Sequence, residues 1–281
     1  MNKIYAVVVT YNRVEKLKKC LSCLRNQSIP LSNILIINNA STDETIMHLT
    51  ELSMQDTCIR FKTLPENTGG AGGFYEGLKW AYDDGADWIW GMDDDAFAEE
   101  DALKNLLLAK KRLGEQNAYW SNCNKDKEFS EEYKKVSDWM FVGFFLSRKI
   151  IGEIGFPRKD FFIYFDDAEY AHRIINMGIN IYKVRDSLIE HEDAIPNSKC
   201  LRLGKKEIEI VLLPKVSWKT YYFIRNRILM DENDKRKRRK AIKRGIRNVF
   251  KALLWDRKNF SYVLMGLFHG IKGKSGKVIT P

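Results

Sequence analysis

Apolar residues in this 281-residue chain gather in short runs separated by segments of helical spacing. Ile4-Tyr-Ala-Val-Val-Val9, Ile34-Leu-Ile-Ile37 and Ile59 to Leu64 are continuous enough to predict strands covered on both faces. Between them Val14, Leu17, Leu21 and Leu24 recur at helical spacing through Gln27, and Ile46, Leu49 and Leu52 do so in a helix from about Glu44. This β-α-β-α-β order predicts an α/β fold: a parallel, Rossmann-like sheet with right-handed crossovers and helices on both faces. Further helices are expected from the glycine string near Gly69 to Tyr82, and from near Glu99 to about Leu113. Trp88-Ile-Trp-Gly-Met92, Trp139 to Leu146, Phe161 to Phe165 and Ile179 to Val184 read as strands. The polar stretch 114–138 reads as a surface loop over the site. A helix from Tyr170 to Met177 ends at Gly178, a residue suited to the left-handed C-cap.

The last third changes character. Val216 to Met230 is helical and aromatic. Lys235 to Lys240 is six consecutive bases. Ile242, Ile246, Val249, Phe250, Leu253 and Leu254 then mark one apolar helical face, and Tyr262 to Phe268 is a short apolar segment. The net charge of +10 is unevenly held: residues 235–281 carry 15 Lys and Arg against one acid, Asp256, which leaves −4 for the rest. A basic amphipathic helix with Trp255 and Phe260 beside it fits an anionic membrane surface. Bases alone would also suit nucleic acid, but the apolar payload favours the membrane, and no nucleic-acid partner is expected. An alternative use of the same helices is a homodimer contact. The organisation expected is a catalytic domain over 1–204 and a basic helical region over 205–281.

No run of about 18 uncharged apolar residues is present, so no transmembrane helix is expected. Met1-Asn-Lys-Ile-Tyr5 enters a strand at once, and no signal peptide is expected ahead of it. Five scattered cysteines, an odd number, suit a reducing cytoplasm. Cys20 and Cys23 form a CxxC within an amphipathic helix, with no second pair, and read as packing residues. The expected location is therefore cytoplasmic, peripheral on the inner face of the cell membrane.

The chemistry concentrates where Trp88-Ile-Trp-Gly-Met delivers Asp93-Asp94-Asp95 to the end of a buried strand. Clustered carboxylates there repel and are costly to desolvate, unless a hard divalent cation binds them. Ligands of open α/β sheets bind outside the carboxyl ends of strands. The triplet is thus either a metal site with a phosphate companion or an acidic turn leading to a helix. Downstream, His191 is either a structural residue following a strand or the nitrogen ligand that the cluster lacks; imidazole suits manganese better than magnesium. The string Gly69-Gly-Ala-Gly-Gly73 permits close backbone approach, and a helix starting there could aim its first amides at phosphate. It matches neither GxGxxG nor the phosphate-loop pattern. Asp166 and Asp167 precede a helix, where acids also serve as caps.

In order, Thr10-Tyr11-Asn12-Arg13, Asn39-Ala-Ser-Thr-Asp43, Asp93-Asp94-Asp95 and Asp166-Asp167-Ala-Glu-Tyr170 resemble family 2 glycosyltransferases of the GT-A fold. With Asn67-Thr-Gly-Gly-Ala-Gly-Gly-Phe74, the likeness is nearer to the galactofuranosyltransferase branch. It covers about residues 4–230. The resemblance implies a divalent ion, Mn2+ or Mg2+, held by Asp93, Asp95 and His191. Asp94 would lie against the ribose or donor sugar. Asp167 would be the general base, and Asp166 would orient the acceptor hydroxyl. Thr10, Tyr11, Asn12, Arg13, Asn38, Asn67, Gly69, Gly70, Gly72 and Gly73 would line the nucleotide pocket. Asn38 stands where the family usually has Asp; an amide still offers a donor and an acceptor to a base.

These expectations describe a metal-dependent inverting glycosyltransferase. The donor expected is UDP-galactofuranose, and the acceptor a lipid-linked or growing cell-surface glycan. The alternative donor is dTDP-rhamnose. A nucleotidyltransferase would be expected to carry a basic glycine-rich loop near the N-terminus, where this chain has Thr-Tyr-Asn-Arg. A non-catalytic binding protein would leave the acidic clusters unexplained.

Overall fold

The computed structural model describes residues 2–123, 130–191, 198–203, 206–211, 213–214, 216–230 and 233–280. The chain divides into two compact units: Met1–Lys159 with Asp167–Glu192, and Asp160–Asp166 with Asp193–Pro281.

The first unit opens with β1 (Ile4–Thr10), α1 (Val14–Arg25), β2 (Asn33–Asn38), α2 (Thr45–Gln55), β3 (Ile59–Thr63), α3 (Gly69–Asp83) and β4 (Trp88–Asp93). β1 lies between β2 and β4, β3 pairs with β2, and all these pairings are parallel. β1 is buried along its whole length. Ile4, Ala6 and Val8 face one core layer with Leu17, Leu21 and Leu49. Tyr5, Val7 and Val9 face the other with Phe74 and Leu78. Alternation of side chains along a strand explains why a continuous apolar run supports helices on both faces. Cys20 is buried in the first layer and Cys23 packs against it, and both are free thiols.

After β4 come β5 (Ala96–Ala98), α4 (Ala102–Leu113), β6 (Ala118–Cys123), β7 (Tyr133–Val136), β8 (Phe144–Ser147), α5 (Arg148–Ile154), α6 (Asp166–Asn176) and β9 (Ile181–His191). The sheet order is β3-β2-β1-β4-β8-β6-β9-β5, with β7 on β9. This half differs from the sequence expectation. Residues 114–138 are not a surface loop throughout, because β6 is largely buried and pairs with both β8 and β9, and β7 also pairs with β9. Residues 124–129 lie outside the described residues. β6 was masked by its polar composition: Ser121 and Asn122 are buried, their side chains hydrogen-bonded to Ser187 and to the Arg185 carbonyl. α5 also went unread in the sequence. Its N-cap is Ser147, whose hydroxyl accepts the Ile150 N–H at 3.2 Å.

The second unit contains β10 (Ser198–Leu203) antiparallel to β11 (Lys206–Val211), then α7 (Ser217–Met230), α8 (Lys235–Trp255) and α9 (Phe260–Lys272). The hairpin was not anticipated; its turn, at the expected domain boundary, lies outside the described residues. α7 and α9 approach closely through glycines: a Cβ at Gly266 would stand 2.6 Å from the Tyr221 carbonyl oxygen. The loop Phe161–Phe165, expected as a strand, follows a 3-10 turn over Lys159–Phe161 and is irregular. Phe162, Tyr164 and Phe165 have φ of 67°, 68° and 65°, which no strand accommodates. No helix among the described residues is long and apolar enough to cross a membrane.

Candidate active site

The carboxyl ends of β1 and β4 lie side by side, with Val9 opposite Asp93. The triplet makes a tight turn here. Asp93 ends β4, Asp94 and Asp95 form the turn, and Ala96 begins β5. β5 is only three residues long, yet it determines the site. It pairs antiparallel with the end of β9, Ala96 opposite His191. That register delivers the imidazole to the triplet across 96 residues of sequence, and His191 Nε2 sits 3.1 Å from Asp95 Oδ1. One ligand atom each from Asp93, Asp95 and His191 lies within 4.8 Å of the others. Two carboxylate oxygens and an imidazole nitrogen at this spacing are the donor set of a divalent transition-metal ion. A buried carboxylate such as Asp95, 2% exposed, requires positive charge beside it. The side-chain cluster therefore fits the implied cation.

Cationic side chains already approach from the start of α1. Arg13 Nη1 is 2.8 Å from Asp95 Oδ2 and 3.4 Å from Asp94 Oδ1, and Lys16 Nζ is 4.0 Å from Asp95. Asp94 turns inward. It is 3% exposed and accepts the Thr10 hydroxyl at 2.7 Å. Burial pushes its carboxyl up to about 6, against the pull of Thr10 and Arg13. These contacts tie the end of β1 to the turn and hold Arg13.

The segment after β2 is fixed by its own side chains. Asn38 is fully buried; its amide oxygen accepts the Ser41 N–H at 3.0 Å and its nitrogen donates to Thr63 Oγ1 at 3.2 Å. These bonds tie the loop after β2 to β3. Asn39, unassigned from sequence, does comparable work next door. Its oxygen accepts the Thr68 N–H at 2.8 Å, and its nitrogen donates to the Gly69 carbonyl at 2.9 Å and to Asn67 Oδ1 at 3.2 Å. Asn67 in turn accepts the Gly69 N–H at 2.8 Å. Asn12 Oδ1 accepts the Thr42 N–H at 2.7 Å, which joins the first loop to the second. Tyr11, Asn12 and Arg13 are exposed.

The glycines divide by function. Gly69 adopts φ of 72°, a left-handed turn into α3. A Cβ at Gly73 would overlap Val9, one at Gly77 would overlap Val7, and one at Gly72 would overlap Thr68, whereas Gly70 has nothing within 4 Å. Gly72 and Gly73 are buried. Both positions lack room for a side chain, whereas Gly70 has open space.

Asp166 and Asp167 do not stand at a strand end. They are the first two residues of α6. Asp167 Oδ1 accepts the Ala168 N–H at 2.7 Å and its carbonyl accepts the Trp139 indole at 3.1 Å. Asp166 is buried and Asp167 half-buried.

The sequence profile described as Glycosyl transferase family 2 matches residues 5–171. Galactofuranosyltransferase GlfT1 of Mycobacterium tuberculosis is 26% identical over 249 residues, 80% of each chain. The dTDP-rhamnosyl transferase RfbF of Shigella flexneri is 22% identical over 256 residues, 82% of this chain and 80% of that one. Among solved structures, the mannosyltransferase PcManGT of Pyrobaculum calidifontis, in complex with GDP-Man and Mn2+, superposes with a TM-score of 0.61. That match covers 97% of this chain and 88% of the other at 14% identity, and shows the GT-A fold. The profile spans more than half of the sequence, and the turn, the paired strand ends and the two asparagine loops fall within or beside it: the chain belongs to glycosyl transferase family 2 and is a galactofuranosyltransferase-like, nucleotide-sugar-dependent enzyme.

Proposed function

We propose that the protein is a metal-dependent, inverting glycosyltransferase that moves galactofuranose from UDP-galactofuranose to a lipid-linked or growing cell-surface glycan. The observation that carries this reading is the Asp93–Asp95–His191 cluster. These side chains would hold one divalent cation, Mn2+ or Mg2+. Bound there, the cation would act as a Lewis acid toward the departing diphosphate. Arg13, already at the cluster, adds positive charge on the same side. Tyr11 and Asn12, exposed at the end of β1, are the groups best exposed to meet the nucleoside. Asp167 takes the proton of the acceptor hydroxyl as its oxygen bonds to the anomeric carbon. The bond from that carbon to the diphosphate oxygen breaks, and its electron pair leaves with the nucleotide. Asp166 steadies the acceptor. A single displacement inverts the anomeric centre.

The donor is argued from similarity to GlfT1; similarity to RfbF makes dTDP-rhamnose the rival. Calorimetry with UDP-galactofuranose and dTDP-rhamnose, each with and without Mn2+, followed by product analysis, separates them. Saturable Mn2+-dependent binding of the uridine donor alone, with transfer of galactofuranose, is expected. Transfer from dTDP-rhamnose alone would replace the donor, and Mn2+-independent turnover would remove the metal role.

For the acceptor side we infer a peripheral position on the anionic inner face of the cell membrane. α8 and α9 carry exposed Ile246, Phe250, Leu254, Trp255, Leu264 and Phe268. Lys240, Lys243, Arg244 and Arg247 border the apolar row on α8, lining a shallow basic groove. Apolar residues beside bases suit the interface of an anionic bilayer.

A further inference from the structure

Polar side chains are costly to bury unless every group is satisfied. α7 carries two in succession, Arg225 and Asn226, both 0% exposed. Their hydrogen bonds converge on one loop. The Asn226 amide nitrogen donates to the carbonyls of Phe161, Ile163 and Tyr164 at 2.8, 2.8 and 3.0 Å. Arg225 Nη2 donates to the carbonyls of Asp160 and Phe161, both at 3.2 Å. Arg225 Nε donates to Asn226 Oδ1 at 2.8 Å, which fixes the amide's orientation.

The loop so held is the one with three aromatic residues at positive φ. Each such residue persists only where its surroundings over-determine it. Here the rings are also gripped. Phe162 packs on Trp218 and Tyr222, and Tyr164 and Phe165 pack on Phe223. The end of the chain closes the arrangement. Arg225 Nη1 donates to the Gly276 carbonyl at 2.5 Å, and the Gly276 N–H donates to the Asp160 carbonyl at 2.8 Å. The Tyr222 hydroxyl donates to the Ile279 carbonyl at 2.7 Å and accepts the N–H groups of Val278 and Ile279, both at 3.1 Å. All of this strain and burial is spent on residues 160–165, which run directly into Asp166 and Asp167.

We propose that Arg225 and Asn226, completed by Gly276–Ile279, are positioning residues that set the direction in which Asp166 and Asp167 leave the loop. The proposal rests on the reading of Asp167 as the proton acceptor. Its consequence is that residues beyond 171, where the family profile ends, hold the segment that leads into the base.

The test uses the full chain with Asn226→Asp, which keeps size but replaces the donor facing three carbonyls with an acceptor. Tyr222→Phe, which removes one hydroxyl, is the milder second variant if Asn226→Asp does not fold. Turnover is read as nucleotide release from the donor selected by the screen above, with an octyl glycoside or water as acceptor. Affinity is read by calorimetry with the matching nucleoside diphosphate and Mn2+. Misplacing a reacting group by about 1 Å costs about 10²-fold. A fall in kcat of that order for Asn226→Asp, and a smaller one for Tyr222→Phe, is expected at unchanged diphosphate affinity. The double variant Asn226→Asp/Asp167→Asn should be no slower than Asp167→Asn alone. Losses that multiply, or diphosphate affinity that falls with kcat, would overturn the positioning role while leaving the base intact. Asp167→Asn at the wild-type rate would instead remove the base, and the positioning role with it.

Discussion

At the scale of single residues, the site is held by polar groups that have little contact with solvent. Thr10 is 1% exposed, and its hydroxyl is spent on the inward-facing Asp94. Thr10→Val keeps the shape and removes that donor. A buried acceptor left without its partner costs about 1–3 kcal/mol. Urea unfolding should show the midpoint shifted down by that amount with an unchanged m-value. A second polar anchor is better exposed. Arg60 makes a two-pronged contact with Asp84, at 2.7 and 2.9 Å, and joins β3 to the end of α3. The guanidinium, helped by the Tyr5 hydroxyl, holds the Asp84 carboxyl below the usual carboxylate range. A depressed folded-state pKa contributes stability above about pH 4 that is lost as the pH falls through the folded value. Asp84→Asn should therefore flatten part of the acid limb of the stability–pH curve. It should cost about 0.2–1 kcal/mol at neutral pH, as partly exposed pairs do. An unchanged acid limb would show that the pair contributes nothing.

At the scale of elements, α3 against β1 is the clearest case of sequence dictating geometry. The glycine string is a packing surface for most of its length. Gly73→Ala must push Val9 aside and should cost about 1–3 kcal/mol. Gly70→Ala meets open space and should be neutral or slightly stabilising through helix propensity. Equal denaturation midpoints for the two variants would refute this division. The same elements show what was legible beforehand. β1 to β4 and the helices between them follow from Ile4–Val9, Ile34–Ile37, Leu17 and Leu21, because a strand covered on both faces needs an unbroken apolar run. Asp93, Asp95 and His191 were also found in the sequence, since their chemistry is unusual at a strand end. β5 was not, because three residues carry no periodicity. β6 was not, because its buried Ser121 and Asn122 are satisfied by partners far away in sequence. The Phe161–Phe165 loop read as a strand because its rings are apolar; the buried Arg225 and Asn226 that bend it lie more than 60 residues downstream.

At the scale of the whole molecule, charge is the dominant asymmetry. Residues 235–281 hold +14 and the remainder −4. Trp255, 78% exposed, and Phe250, 61% exposed, stand on the same helix as the bases. Sedimentation with vesicles containing anionic phospholipid should retain the wild-type protein. Phe250→Glu/Trp255→Glu should reduce binding at least tenfold, while binding to the nucleotide and Mn2+ stays unchanged. Added salt should weaken attachment, but less than it would for a purely electrostatic contact. Equal retention of the variant would defeat the membrane reading.

The pairing of Ala96 with His191 has a temporal meaning as well as a geometric one. A nascent chain that stops short of residue 191 lacks the imidazole that stands 3.1 Å from Asp95. A contact spanning 96 residues is also entropically slow to close. The capacity to bind the proposed cation should therefore arise late, when most of the sheet has already ordered. Ion uptake during refolding would then serve as a clock for the completion of the first unit.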